Sequence, residues 1–480
     1  MNKKILISLS AFALLAGALA GCGGSKSETG KAVAKASKMT LAELEEASKK
    51  EAEAAGDEFK LKVVGLTSVL HTVAESVAEK YEWFNYTYDK DAKKGTGNID
   101  VNNGYKDYAL LSALNVASDT YFADYALAQD ARSFSTFIDD EITFNYVPSD
   151  AKSALGMTDE TLLPLHGVHF NKLFYTNTNF SKFHPKGLYN IWQVAGHDTV
   201  YEKDGVTVKT PVDHEDHLSK VSFQSPTTEQ INMSFLVSCY AEENQARIEK
   251  AYEDYYGKKW EASGTYLNAG QQWVAEFIAN VSKWHTSDGT AMKETQLSKA
   301  WGDDVVYYGA FAKMKDAAGN KFEIDLNGDG KIEKNVQIVC DGKTYTYDES
   351  KVCAMDTVKW DWAINGFNGF MYCMDSQIIN NAKYPYSACL FARTLLEQEV
   401  YEKAIYNSKN PGEDGKAANQ YGYYYPGQAS DTFRYAKGDW TKAQHMEKEI
   451  NENYEYLKNV KISTVNNILG LVNSNTKSAS

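Results

Sequence analysis

Two histidines and two acids fall within four positions at His214-Glu215-Asp216-His217, residue types that hold transition metals. Their spacing and their setting, PVDHEDHLSK, equally describe a solvated charged loop. His166 and His169 repeat the spacing beside a β-like run, where a structural role suits them better. Asp325, Asn327 and Asp329, followed by Gly330 and Ile332, set oxygen ligands at alternate positions as a calcium loop does. The position where a bidentate acid would close that shell is Val336. A structural calcium therefore needs a carboxylate from elsewhere, and the alternative is a hairpin turn rich in Asn and Asp-Gly. Gly342-Lys343-Thr344 has the tail of a phosphate loop, but Gln337 stands where its first glycine belongs and no helix is expected to follow. Neither Gly-x-Ser-x-Gly nor His-Glu-x-x-His occurs. Enzymatic chemistry stays open as a surface hydrolase, glycan-active, whose two carboxylates lie too far apart in sequence to recognise. A noncatalytic adhesin is a further alternative.

The amino terminus says where such chemistry would take place. Lys3 and Lys4 precede an apolar run from Ile5 to Leu19, too short for a durable membrane span, so residues 1–21 read as an export signal. Leu19-Ala20-Gly21-Cys22 resembles a bacterial lipobox, which makes Cys22 the lipidated anchor and residues 22–39 a flexible tether. No second apolar run of roughly 18 residues follows, so the remainder is expected outside the membrane. It suffices for two or three domains of roughly 100–200 residues.

With 43% hydrophobic and 24% charged residues the composition is globular, and a formal net charge of −14 argues against nucleic acid as a partner. Thirty-two Tyr and nine Trp suit partly wet surfaces such as clefts, although core packing uses the same residues. Beyond Cys22 five cysteines remain, an odd number. Cys340 and Cys353 flank a hairpin-like segment and are candidates for a disulfide, whereas Cys239 and Cys389 sit in apolar helical patterns.

Along the chain, Thr40 and Glu43 form a capping box for a helix to about Ala55. FKLKVVG then alternates as a strand, and Thr67-Ser68 leads into a helix from Val69 to Tyr81. DTYFADYALAQ is β-prone, with Asp124 interrupting its apolar pattern. Strands are expected at HFNKLFYTN, KVSFQ and DDVVYYG. Ser225 and Pro226 read as the cap and first turn of a helix through INMSFLVSCYAEE, and GQQWVAEFIANVSKW as another helix. Residues 317–356 are hairpin-rich with Asp-Gly turns, and the chain beyond Pro385 is mostly helical.

Several of these pieces resemble the lipoprotein solute-binding components of bacterial ABC importers, in the iron/thiamine/polyamine branch of the type II periplasmic-binding-protein family. The pieces are TLAELEEASKKEAEAAGDEFKLKVVG, FNKLFYTN, FHPKGLYNIWQVAG and INNAKYPYSACLFARTLLEQEVYEKAI, in that order. The resemblance implies an α/β, two-lobe fold with a hairpin insert and a helical C-terminal region. Residues 40–168 would begin the first lobe and 169–310 form the second. Residues 311–400 would return to the first, and 401–480 form the helical region. It also implies capture of a small polar molecule between the lobes, delivery to an ABC permease, attachment through Cys22, a monomer, and no cofactor beyond the calcium considered above.

Strand ends and helix starts present backbone N–H groups to polar or anionic ligands, which selects candidate contacts. Thr67 and Ser68 are the first, with simple capping as their alternative. Asp124 suits a cationic or hydroxyl-bearing ligand, and Ser225, Thr227 and Thr228 divide between capping and contact. Iron-binding members of the family use an adjacent Tyr pair as phenolate ligands, which brings in Tyr307 and Tyr308, although VVYY is also ordinary strand composition. In NGFNGF, Phe367 and Phe370 could stack on a ligand beside Asn368, or the run is a bulged strand.

Overall fold

Thr40 and Glu43 make both bonds of the capping box: the Glu43 N–H donates to Thr40 Oγ1 at 3.3 Å and the Thr40 N–H to Glu43 Oε2 at 2.8 Å. The computed structural model describes residues 27–475 except 106–109, 111, 115–119, 130, 178–185, 196–199, 202–207, 210–216, 219, 293–294, 296–305, 311–336, 341–342, 347–357, 361–363, 420–423, 425–432 and 437–438. Ahead of the capped helix α2 (Leu41–Ala55) lies α1 (Glu28–Ala36), with Ser27 accepting from the Gly30 N–H. The expected tether is thus ordered from residue 28. The run ETGKAVAKA has a buried edge of Thr29, Gly30, Val33 and Ala36, and a Cβ on Gly30 would sit 2.7 Å from the Phe144 ring.

The first half of the fold is wound around β1 (Leu61–Gly65), followed by α3 (Val69–Lys80). Strand β2 (Ile99–Asn102) pairs parallel to β1 on one side and β3 (Tyr125–Gln129) on the other, with α4 (Ala131–Asp139) after it. Then β4 (His166–Asn177) crosses to the second half. There β5 (Val221–Gln224) is central, followed by α5 (Gln230–Ser238), α6 (Glu242–Tyr256) and α7 (Ala269–Asn280). Strands β6 (Val281–His285) and β7 (Val306–Ala310) flank β5, both parallel to it. The chain returns along β8 (Gly369–Ile379), antiparallel to β4 over residues 369–375 and to β3 over 374–378. The order β6-β5-β7-β4-β8-β3-β1-β2 belongs to one eleven-stranded sheet. This is the expected α/β, two-lobe architecture: two doubly wound units joined by a pair of crossing strands.

Pro385 opens α8 (Pro385–Leu395), as its fixed φ favours, and Ala388, Phe391, Ala392 and Leu395 are all fully buried. Two boundaries differ from expectation. The Ser225-Pro226 run is a turn that satisfies its own polar groups, the Thr228 and Glu229 N–H groups donating to the Ser225 carbonyl, and α5 starts at Gln230. Helix α7 stops at Asn280, and VSKWH, with a β-branched and an aromatic residue, pairs as β6.

The C-terminal region adds α9 (Gln398–Ile405), α10 (Lys442–Lys448), β9 (Ile450–Asn451), α11 (Tyr454–Lys458) and α12 (Ile462–Ser474). It is not purely helical, since 406–411 pairs with 417–419 as strands and β9 joins β8. Helix α11 packs on α4 of the first half, and α12 on α5 and α7 of the second. The hairpin insert forms strands at 337–340 and 343–346, with Cys340 opposite Lys343. Cys22, the calcium loop with Asp325, Asn327 and Asp329, His214 and Cys353 lie outside the described residues. No helix among the described residues is long and apolar enough to cross a membrane.

Candidate functional site

In an open α/β sheet the crevice forms outside the carboxyl ends of the strands, where the winding reverses direction. Here those strands are β1 and β5, each with parallel neighbours on both sides. The carboxyl ends of the two units meet. Gln129, last residue of β3, donates through Nε2 to Glu229 Oε1 at 3.0 Å, and Glu229 stands at the cap of α5. Gln224 Nε2 donates to the other oxygen of Glu229 at 3.1 Å. From the crossing strand β4, Lys172 enters the same cluster, only 1% exposed. Its ammonium donates to Asn232 Oδ1 at 2.9 Å and lies 3.4 Å from Glu229 and 3.2 Å from Asp288. Asn232 is held in turn by donating to the Gln224 carbonyl at 2.8 Å, and Asp288 accepts from the Ala310 N–H at 3.3 Å.

Among the described residues one ammonium faces two carboxylates, which gives this cluster a net negative charge and oriented acceptors. That set suits hydroxyl, amide or ammonium groups of a solute. Lys172 was missed by sequence reasoning, although a lysine inside the apolar run FNKLFY is a signal, being costly to bury without acidic partners. Gln129, Glu229 and Asp288 carried no comparable signal.

The candidates from the sequence divide between the two ends of the sheet. Thr67 and Ser68 follow the carboxyl end of β1, at the reversal point. Thr67 is buried and its Oγ1 accepts from the Val69 N–H at 3.2 Å, while Ser68 is exposed and makes no capping bond through its side chain. Ser68 rims a groove of about 340 Å³ that runs along α3 past His71, Glu75 and Tyr88. Ser225, Thr227 and Thr228 follow β5 at the other reversal point. Ser225 Oγ lies 2.7 Å from Thr227 Oγ1, and both threonines are exposed.

Asp124 is at the wrong end. It precedes β3, which runs parallel to β1, so it lies at the amino ends of the strands, away from the crevice. Its carboxylate accepts from the N–H groups of Lys62, Lys383 and Tyr384 at 2.8, 2.7 and 3.1 Å and from the Tyr121 hydroxyl at 3.1 Å. It ties β1 to the start of α8, and burial raises its pKa despite these donors.

Tyr307 and Tyr308 do not act as a pair, because consecutive side chains of a strand point to opposite faces. Tyr308 stacks on Phe235 at 4.4 Å within the aromatic core of the second half. Tyr307 stacks on Tyr175 at 5.4 Å, over Gly309, where a Cβ would come within 1.8 Å of the Tyr307 hydroxyl. Burial, and for Tyr307 the Asp288 carboxylate, push both phenols well above their ordinary range. Phe367 and Phe370 are likewise core residues, packed on Phe235, and are not available for stacking on a solute. Asn368 is buried, its N–H donating to the Lys448 carbonyl at 2.8 Å.

No protein-family model matches the sequence, and no curated protein matches it. Among solved structures, iron-bound HitA from Pseudomonas aeruginosa aligns over 87% of this chain and 99% of its own, at 10% identity and a TM-score of 0.48. The ferric binding protein from Campylobacter jejuni aligns over 87% and 99%, at 8% identity and a TM-score of 0.47. A putative extracellular solute-binding protein from Bordetella parapertussis gives 87% and 99%, 10% identity and 0.48.

Proposed function

We propose that the chain is a lipid-anchored solute receptor that captures a small polar molecule between its two halves and delivers it to the permease of an ABC importer. The observation that carries the reading is the Gln129–Glu229 contact, which brings the carboxyl ends of two doubly wound units together around a polar, net negative cluster. Such a crevice binds by closing on its solute, with β4 and β8 as the crossing segments, and it needs no nucleophile. Leu19-Ala20-Gly21-Cys22 supports attachment through a lipid on Cys22, outside the cytoplasmic membrane. In this reading the receptor is a monomer without a catalytic cofactor.

A thermal-shift screen of the purified chain against sugars, polyamines, thiamine, ferric salts and organic anions tests it. A solute present at 100 times its dissociation constant stabilises by about 2.7 kcal/mol. A clear shift with one class, lost on replacing Glu229 or Asp288, supports the receptor. A flat screen across all classes counts against it.

A further inference from the structure

On the face of the crossing strands opposite to Met374, which pairs with Gln129, a second polar cluster gathers. His166 on β4 pairs with Asp375 on β8 across a register shift, and Cys373 lies two residues back on the same face of β8. A ring nitrogen of His166, the Cys373 sulfur and a carboxylate oxygen of Asp375 all lie within 4.8 Å of one another. Glu452, just after β9, approaches the same sulfur. Cys373 Sγ is 3.4 Å from Asp375 Oδ1 and 3.2 Å from Glu452 Oε2.

These distances have a second meaning besides weak thiol hydrogen bonds. Zinc bonds of about 2.3 Å to sulfur and 2.0 Å to oxygen, at tetrahedral angles, put the two ligand atoms about 3.5 Å apart. Among the described residues His166 Nδ1 is shut off from solvent and meets no hydrogen-bond partner, and the same holds for Nε2 of His169, whose ring lies 5.0 Å from that of His166. A buried imidazole nitrogen without a partner carries a desolvation cost that a metal bond would remove.

We propose that His166, Cys373 and Asp375, with Glu452 as fourth ligand, bind a divalent transition-metal ion, zinc by preference, that clamps the two crossing strands to the segment following β9. Binding exchanges the thiol proton, released to solvent, for a metal–thiolate bond. The site is separate from the crevice cluster and does not depend on which solute that crevice takes.

Cobalt(II) titration of the purified, chelator-treated full chain tests this. One equivalent should produce a thiolate-to-cobalt charge-transfer band in the near ultraviolet with tetrahedral bands in the visible, all bleached by one equivalent of zinc. Cys373→Ser should abolish the charge-transfer band, and His166→Gln should weaken cobalt binding by about 100-fold or more. No charge-transfer band in the unmodified chain, or a band that persists in Cys373→Ser, overturns the proposal. Should Cys373→Ser fail to fold, His166→Gln decides: unchanged cobalt affinity overturns the site, and weakened affinity supports it.

Discussion

Gln129 of the first half donates to Glu229 of the second at 3.0 Å, a hydrogen bond between residues 100 positions apart that joins the two units across their crevice. Its acceptor is also shared with Gln224 and Lys172, so the contact is anchored on the second half before the first half reaches it. If this bond helps hold the halves together, Gln129→Glu should separate them by opposing two carboxylates. The expected loss is about 1 kcal/mol or more of closure. Small-angle scattering should show a larger radius of gyration than in the unmodified chain, and an unchanged radius would show that the contact does not hold the halves.

Lys172 answers two carboxylates from a position with almost no solvent access. Lys172→Met leaves Glu229 and Asp288 facing each other without the ammonium, and a loss of about 3 kcal/mol in unfolding free energy is expected. Urea denaturation measures it. Adding Glu229→Gln to the same chain should recover part of the loss, since it removes one of the stranded charges.

Asp124 should behave as a structural residue. Asp124→Ala strips the acceptor from three backbone N–H groups and one hydroxyl, an expected cost of about 2–4 kcal/mol by thermal or chemical denaturation. A solute found by screening should bind with unchanged affinity at a temperature where the variant is folded. Calorimetric titration showing a tenfold weaker affinity would return Asp124 to the binding site.

Tyr308 gives the opposite outcome for stability. Its hydroxyl is buried among aromatic rings and has no hydrogen-bond partner among the described residues. Tyr308→Phe is expected to be neutral or to stabilise by up to about 1 kcal/mol, with solute affinity unaltered. A loss of ferric binding on this substitution alone would contradict the placement of Tyr308 in the core.

Glu276 makes stability depend on pH. Burial on α7 pushes its pKa up to about 8, against a single opposing donor from Gln272 at 2.8 Å. Between the unfolded value near 4.5 and about 8, the folded chain keeps a proton that the unfolded chain releases. Stability from this group is therefore fully present below the unfolded pKa and falls as pH rises toward the folded one. Glu276→Gln should flatten that slope and stabilise by roughly 2–3 kcal/mol at pH 7. Melting temperatures from pH 5 to 8 provide the check, and parallel profiles for the two chains would refute it.

Local chemistry was readable from the residues alone. The Thr40 and Glu43 cap, the strand FKLKVVG, the pairing of 337–340 with 343–346 and the helix opened by Pro385 depend on neighbours within a few positions, and each forms as its composition demands. The positions after β1 and β5 were also legible, because a strand followed by a short polar loop and a helix marks a strand end whatever else surrounds it. Direction and partnership were not. Asp124 looked like the end of a strand because alternation shows which face a residue takes, whereas its place at the amino end follows from the parallel pairing of β3 with β1. Tyr307 and Tyr308 are adjacent in sequence, yet the pleat sends one onto Tyr175 and the other onto Phe235. Sequence by itself determined the elements and the likeness to a two-lobe binder, while Lys172, inside an apolar strand, went unread. Only the tertiary structure decided that Gln129, Glu229 and Asp288 meet that lysine, and that His166 meets Cys373 and Asp375. Those meetings depend on strand order and register, which are set by the packing of the whole sheet and not by local spacing.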